Sequence, residues 1–121
     1  MTQAFSERQL EALAAMVPAD RFSTGLSNRN LHLRDISHHR GVLPAGIAWP
    51  IDTSEVADIL QWTYAENIPV TPWGAGTSTE GNPVPACGGL VMDLSRMDRI
   101  IDIRPRDLQA DVQPGVLRKS L

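Results

Sequence analysis

The residues best suited to chemistry form one run, Pro72-Trp73-Gly74-Ala75-Gly76-Thr77-Ser78-Thr79-Glu80-Gly81. Three glycines fall within eight residues, so the backbone must turn sharply or let another group come close. Thr77, Ser78 and Thr79 add three adjacent hydroxyls, while no Lys or Arg occurs from Thr71 to Val91. An anion bound here would be held by main-chain N–H groups and by those hydroxyls, in the manner of a backbone nest. Two better-known phosphate loops do not fit. A Walker A loop requires Gly-Lys-Ser/Thr, and the run has no lysine. The Rossmann fingerprint requires a third glycine three residues after the second, where Thr79 stands. The chain also continues toward Pro83 and Pro85 instead of entering an amphipathic helix. Spacing alone leaves a flexible turn open as the bland alternative.

The other candidates read as ordinary. His38-His39 with Asp35 nearby suggests a metal, yet no ligand spacing supports one. All three histidines, His32 included, read as surface or locally hydrogen-bonded groups. Cys87 has no basic neighbour and reads as an inert thiol. Glu80 would repel an anion and is expected to point outward. Asp93, Asp98 and Asp102 read as solvated or turn-forming carboxylates, not as an acid–base pair. Trp73 either flanks a ligand or is an exposed loop aromatic. No residue is singled out as catalytic or as a metal ligand.

These residues need elements to position them. Ser6 and Gln9 form a capping-box pattern that opens a helix with Leu10, Leu13 and Val17 on one side. Val17-Pro18 ends it. From Ala19 to Ala45 periodicity is lost, and the segment reads as loop and turns. Ile47-Ala48-Trp49 reads as a strand stopped by Pro50, followed by N-cap candidates Asp52, Thr53 and Ser54 with Glu55 in the first turn. Val56, Ile59, Leu60, Thr63 and Tyr64 make a helical stripe, with Trp62 pointing away as surface or as a contact for another segment. Asn67 closes the helix and Ile68-Pro69-Val70-Thr71 is the next strand, giving a βαβ unit with parallel strands. Leu90 to Leu94 is a third strand. Arg99 to Arg104 and Leu108 to Gln113 alternate around Pro105-Arg106-Asp107 as an antiparallel hairpin, and Val116 to Leu121 reads as the opening of a helix.

At 121 residues the chain holds at most one domain or part of a larger one. With 42% hydrophobic and 21% charged residues it reads as globular. A net charge of −3 with no basic block argues against nucleic acid as a partner. One cysteine excludes an intrachain disulfide. No segment approaches the roughly 18 apolar residues of a membrane span. Met1 to Gln9 reads as neither a secretory signal nor a transit peptide, which leaves the cytoplasm as the expected location.

Several ordered motifs together carry a resemblance. Ile68-Pro69-Val70-x-Pro72, Gly74-x-Gly76-Thr77-Ser78-x-x-Gly81 and Gly88-Gly89-Leu90-Val91 come first. Asp93-Leu94-Ser95-Arg96-Met97 and Gln113-Pro114-Gly115-Val116 follow, and Thr53-Ser54-Glu55-Val56 matches upstream. With these motifs, residues 46–121 resemble the FAD-binding PCMH-type domain of the vanillyl-alcohol-oxidase superfamily. Glu80-Gly81, Met97-Asp98-Arg99-Ile100 and Pro114-Gly115-Val116-x-Arg118-Lys119 are most similar to the branch of cytochrome-linked D-lactate dehydrogenases and glycolate oxidase subunits.

The resemblance implies an α+β fold, the first subdomain of a PCMH-type domain: a small parallel βαβ unit followed by an antiparallel hairpin, truncated. It implies a division into residues 1–45, a helix and an irregular segment, and residues 46–121, a partial FAD-binding domain. It places the FAD pyrophosphate against Gly74, Ala75, Gly76, Thr77 and Ser78, within a loop begun by Pro72 and Trp73. Gly81 allows close approach, and Pro114 and Gly115 are a further contact. Some members link FAD covalently through a loop histidine; Thr77 occupies that position, implying non-covalent FAD. Gly76→Val is expected to push bulk into the pyrophosphate path. The implied activity is oxidation of a 2-hydroxy acid by hydride transfer to the flavin. A cytochrome or quinone then takes the electrons, with peripheral membrane association through that partner. Two other readings stand beside it: a non-catalytic nucleotide- or phosphate-binding module, and a truncated chain with no activity of its own.

Overall fold

A computed structural model describes residues 4–121; the first three residues of the stretch read for a leader lie outside the described residues. Helix α1, Glu7–Met16, starts as its sequence dictates. Gln9 N–H donates to Ser6 Oγ at 3.2 Å, and Ser6 N–H donates to Gln9 Oε1 at 2.9 Å. Two otherwise orphaned donors are thereby satisfied. Leu13 and Val17 are buried on its inner side.

The stretch read as loop and turns contains more order than its pattern suggests. A 3₁₀ turn, Ala19–Arg21, leads into β1, Phe22–Ser23, and then α2, Leu26–Leu31. Elements of two and six residues are too short to show a period, and they exist through tertiary pairing. Strand β1 pairs antiparallel with β2, Gly46–Ala48, matching Phe22 with Ala48. The Arg21 guanidinium donates to Glu55 at 2.6 Å and to the Trp49 carbonyl at 3.3 Å, tying the turn to the next helix.

That helix, α3, spans Thr53–Ala65, with Asp52 as N-cap accepting from Glu55 N–H at 2.8 Å. Asn67 closes it at φ 54°. Its buried side differs from the expected stripe. Ile59 and Thr63 are buried, with Val56 and Trp62 half-buried, whereas Leu60 is 45% and Tyr64 88% exposed. The reason is α1: Phe5, just before it, brings its ring to 6.1 Å from that of Trp62 and so rotates the covered face.

Strands β3, Val70–Trp73, and β4, Leu90–Asp93, complete a sheet ordered β1-β2-β4-β3, with β4 parallel to both neighbours. The crossover from β2 through α3 therefore skips one place, which β4 fills. Strand β3 begins two residues later than expected and includes Pro72. The sheet edge permits this: Leu90 N–H donates to Pro69 O and Leu94 N–H to Trp73 O. Odd-numbered residues therefore face β4, and Pro72 faces the open edge. Alternation in β4 divides the core. Leu90 and Met92 meet Leu13, Val17, Ala48 and Ile59 under the helices. Val91 meets Ile47 and Trp73 on the opposite face.

The expected hairpin forms from β5, Ile100–Arg104, and β6, Gln109–Val112, with a register shift between Ile100 and Asp102. After it, the expected helix opening is a 3₁₀ turn, Arg118–Ser120. The whole is α+β, a small parallel unit followed by an antiparallel pair. Among the described residues, no helix is long and apolar enough to cross a membrane.

The observed α3 face yields a paired prediction. Ile59→Ala should cost about 3 kcal/mol in chemical denaturation, while Tyr64→Ala should stay within about 0.5 kcal/mol. Equal losses at the two positions would restore the stripe read from sequence.

Candidate functional site

Parallel strands cannot be joined by a tight turn, so the chain must travel back from the end of β3 to the start of β4. Residues 74–89 make that journey without a helix or strand. They are pinned instead by the segment before β2. Ile36 N–H donates to Ser78 O at 3.1 Å, Val42 N–H to Pro85 O at 2.8 Å and Ala45 N–H to Gly89 O at 2.7 Å. Asp35 Oδ2 accepts from Gly81 N–H at 2.8 Å. Desolvation would raise the Asp35 carboxyl, but hydrogen bonds from Ser37 and Gly81 outweigh it and hold it below the ordinary carboxylate range.

The loop's own donors are left free. Among the described residues, the N–H groups of Gly74, Ala75, Gly76, Thr77, Ser78 and Thr79 donate to no protein acceptor. A run of unpaired main-chain donors needs water or a ligand. The hydroxyls divide. Ser78 Oγ donates to Asn82 Oδ1 at 2.9 Å and accepts from Glu80 N–H at 3.2 Å, so its proton is committed inside the loop. Thr77 and Thr79 remain exposed, and Glu80 is exposed as expected.

Two adjoining hollows flank these donors. One, of about 320 Å³, is lined by Gly74, Ala75, Pro114 and Gly115 together with Ser95 and Asp98. The other, of about 380 Å³, is lined by Pro72, Trp73, Gly76, Thr77 and Ser78, and shares Gly74, Ala75 and Pro114 with the first. They open beyond the carboxyl ends of β3 and β4, where sheets with parallel strands characteristically take ligands. Gly81 lines neither hollow.

Several glycines are required by contacts within the protein itself. A Cβ on Gly76, at φ +70°, would fall 2.3 Å from Trp73 Cζ2. The bulk of a valine there meets the protein's own indole first. Gly81 is likewise closed by the His39 ring, 2.6 Å from a Cβ. At Gly115 a Cβ would lie 2.4 Å from Leu94 O. Gly74 alone among the glycines of the loop would place a Cβ with nothing within 4 Å. Trp73 is neither exposed nor loose; at 9% exposure it forms the floor of the loop.

Sequence reasoning missed a buried pair below that floor. His32 Nε2 lies 2.7 Å from Asp93 Oδ2, with both residues buried. His32 is thus no surface group, though its bond to Asn28 O is the local one expected, and Asp93 is not solvated but does form a turn, accepting from Ser95 N–H at 2.9 Å. Desolvation would lower the His32 pKa, but hydrogen bonds to Asp93 and to Asn28 O and the Asp93 charge raise it overall. Desolvation would raise Asp93, but the bonds from His32 and Ser95 hold it low. A separation of 61 residues carries no sequence signal. Ser95 and Asp98 at the first hollow were nevertheless within reach, since Ser95 sits in the motif Asp93 to Met97 and Asp98 in the motif Met97 to Ile100.

A profile of the FAD binding domain family matches residues 44–121. The chain belongs to that family. Its cofactor is accordingly FAD. It is 31% identical over 115 residues to a probable mitochondrial D-lactate dehydrogenase of Danio rerio, covering 95% of this chain and 23% of that protein. Over 107 residues it is 30% identical to glycolate oxidase subunit GlcD of Bacillus subtilis, covering 88% and 23%. Among solved structures, an alkyldihydroxyacetonephosphate synthase superposes with TM-score 0.83 at 20% identity, over 96% of this chain and 23% of that one. p-Cresol methylhydroxylase superposes with TM-score 0.79 at 19% identity, over 93% and 23%. These two establish the PCMH-type fold alone. The chain thus spans under a quarter of each protein it matches here.

The contrast between two glycines is testable. Gly76→Ala should destabilise the ligand-free chain by about 2 kcal/mol or more, through indole overlap and positive φ. Gly74→Val should leave thermal stability nearly unchanged yet weaken FAD binding at least about tenfold, about 1.4 kcal/mol. Thermal melts and FAD titrations on both variants separate the effects. Unaltered FAD affinity in Gly74→Val would remove the hollow at Gly74 from the cofactor's path.

Proposed function

We propose that this chain supplies the diphosphate cradle of a flavin-dependent dehydrogenase that oxidises a 2-hydroxy acid. The observation that carries the reading is the run of free N–H groups from Gly74 to Thr79, in a stretch without any cationic side chain. In this reading Gly74, Ala75, Gly76, Thr77 and Ser78 present main-chain donors to the pyrophosphate oxygens. Thr77 adds its hydroxyl, while Ser78 uses its own to hold the turn. Pro72 and Trp73 shape the approach, Pro114 and Gly115 close the far wall, and Gly81 lets the His39 ring brace the loop from behind. Fixed dipoles of this kind need no reorganisation to accept negative charge.

The substrate class rests on relatives whose names include D-lactate dehydrogenase, glycolate oxidase subunit and D-2-hydroxyglutarate dehydrogenase. All three name a 2-hydroxy acid. FAD, when bound, supplies the hydride-accepting chemistry, and the protein orients it. Turnover is proposed for the protein at its relatives' length, and cofactor binding for these residues, 46–121 above all. A cytochrome acceptor is proposed because relatives from Arabidopsis thaliana and Kluyveromyces lactis carry that word in their names. Residence in the cytoplasm, with docking to a membrane-bound acceptor, belongs to the same proposal. The loop from Pro72 to Gly81 offers no His, Cys or Tyr to bond a flavin, which supports a non-covalent cofactor.

Calorimetric titration of the chain with FAD, ADP and riboflavin tests the cradle. FAD and ADP should bind, and riboflavin, lacking the diphosphate, at least about tenfold more weakly. Equal affinity for FAD and ADP would favour a general nucleotide module, and no binding of either would overturn the cradle. Acid precipitation of the FAD complex should release the flavin completely; flavin retained in the pellet would contradict the non-covalent reading.

A further inference from the structure

Beneath the glycine loop, the His32–Asp93 pair makes no contact with either hollow, yet it touches the loop's floor. His32 follows α2 directly and Asp93 ends β4. Its Nε2 lies 2.7 Å from Asp93 Oδ2, and its Nδ1 lies 2.7 Å from the carbonyl oxygen of Asn28. Both partners are acceptors, so both bonds are made in full only when both ring nitrogens carry protons, and the two bonds together with the Asp93 charge favour that form. Two anchored nitrogens leave the ring no freedom to rotate. It is set between two indoles, with centroids 4.8 Å from Trp73 and 5.9 Å from Trp49. Trp73 in turn occupies the space where a Cβ on Gly76 would fall.

A buried ion pair is a weak source of stability, because desolvation offsets most of the attraction, and apolar residues of equal volume serve as well. What this pair adds is a fixed orientation shared by α2, β3 and β4. We propose that His32 and Asp93 are positioning residues for the cofactor loop: the pair fixes the Trp73 indole, and the indole fixes the turn at Gly76 whose free N–H groups receive the diphosphate. This rests on the flavin reading of the loop.

The surroundings isolate the pair electrostatically. Asp93 is the charged group acting on His32. Arg96 stands over the Trp49 ring at 5.3 Å, and Arg29 on α2 turns to the Pro44 carbonyl at 2.6 Å. Strand β3 has no charged residue, and Glu80 in the loop is exposed. As pH rises through the elevated His32 midpoint, one ring proton leaves, and either Asn28 O or Asp93 loses its buried donor. As pH falls through the depressed Asp93 midpoint, the carboxylate is neutralised. The loop is therefore held most firmly between those two midpoints.

The test follows the His32 ring nitrogens by ¹⁵N NMR in the full chain, with the Gly74–Thr79 amides observed in the same flavin-free sample. Those amides should shift with the His32 midpoint, and FAD affinity, titrated separately, should fall about tenfold above it. Asp93→Asn keeps an acceptor and removes the charge. It should lower the His32 midpoint by about one pH unit or more and carry the loop and FAD transitions with it. His32→Gln should abolish both transitions. Loop amides indifferent to His32 titration overturn the proposal, as does an FAD pH profile unmoved by Asp93→Asn. If the amides follow His32 but FAD binds at no pH, the positioning role stands and the flavin reading falls. Should Asp93→Asn not fold, the wild-type titration and His32→Gln decide.

Discussion

Parallel pairing of β3 with β4 is the constraint from which the site follows. Two strands running the same way oblige the chain to return the full length of the sheet before it can pair again. Most such returns are helices, which satisfy their own donors. Residues 74–89 return as coil, so each N–H must find a partner elsewhere or wait for one. The first six residues wait. Among the described residues β3 is the edge strand, and Pro72 carries no donor of its own on that side. Edge position, coil return and free amides are one feature seen at three scales.

A coil with unsatisfied donors would collapse or wander unless something outside it held its shape. That task falls to the segment between α2 and β2. Asp35 grips Gly81, Ile36 grips Ser78, and Val42 and Ala45 grip the exit. From below, Trp73 fills the space under Gly76 and rests against the ring of His32. Gly76 and Gly81 therefore lack a Cβ for reasons internal to the protein. Only Gly74 faces open space. At Gly76 and Gly81 the motif also makes room for two aromatic rings of the same chain.

This explains what the sequence could and could not convey. The loop, the capping box at Ser6 and Gln9, the cap at Asp52 and the hairpin around Pro105 were legible because each is a local arrangement of a few neighbours. Helix α2 and strand β1 were not, since six and two residues show no period, and they depend on partners well removed in sequence, Pro44 for Arg29 of α2 and Ile47 and Ala48 for β1. The stripe on α3 was misassigned at Leu60 and Tyr64, because Phe5 decides which face is covered. His32 and Asp93 looked ordinary for the same reason. Each residue taken alone is a polar group near a turn, and only the packing of α2 against the sheet brings them to hydrogen-bonding distance.

The charge balance gives the cradle its character. A chain of net charge −3 repels a diphosphate at long range, though salt screens that repulsion beyond about 8–10 Å. Binding must then be won at contact, by donors already aimed and with no counter-ion to release. Lysine in such a loop would attract from afar, but its flexible stem would lose conformational freedom on binding. Main-chain N–H groups act only within hydrogen-bonding reach, and their direction is set by φ and ψ instead of by rotamers. Their value therefore depends wholly on backbone precision. A cradle made this way needs a rigid floor more than it needs charge, and that is the part proposed for Trp73 and its buried support.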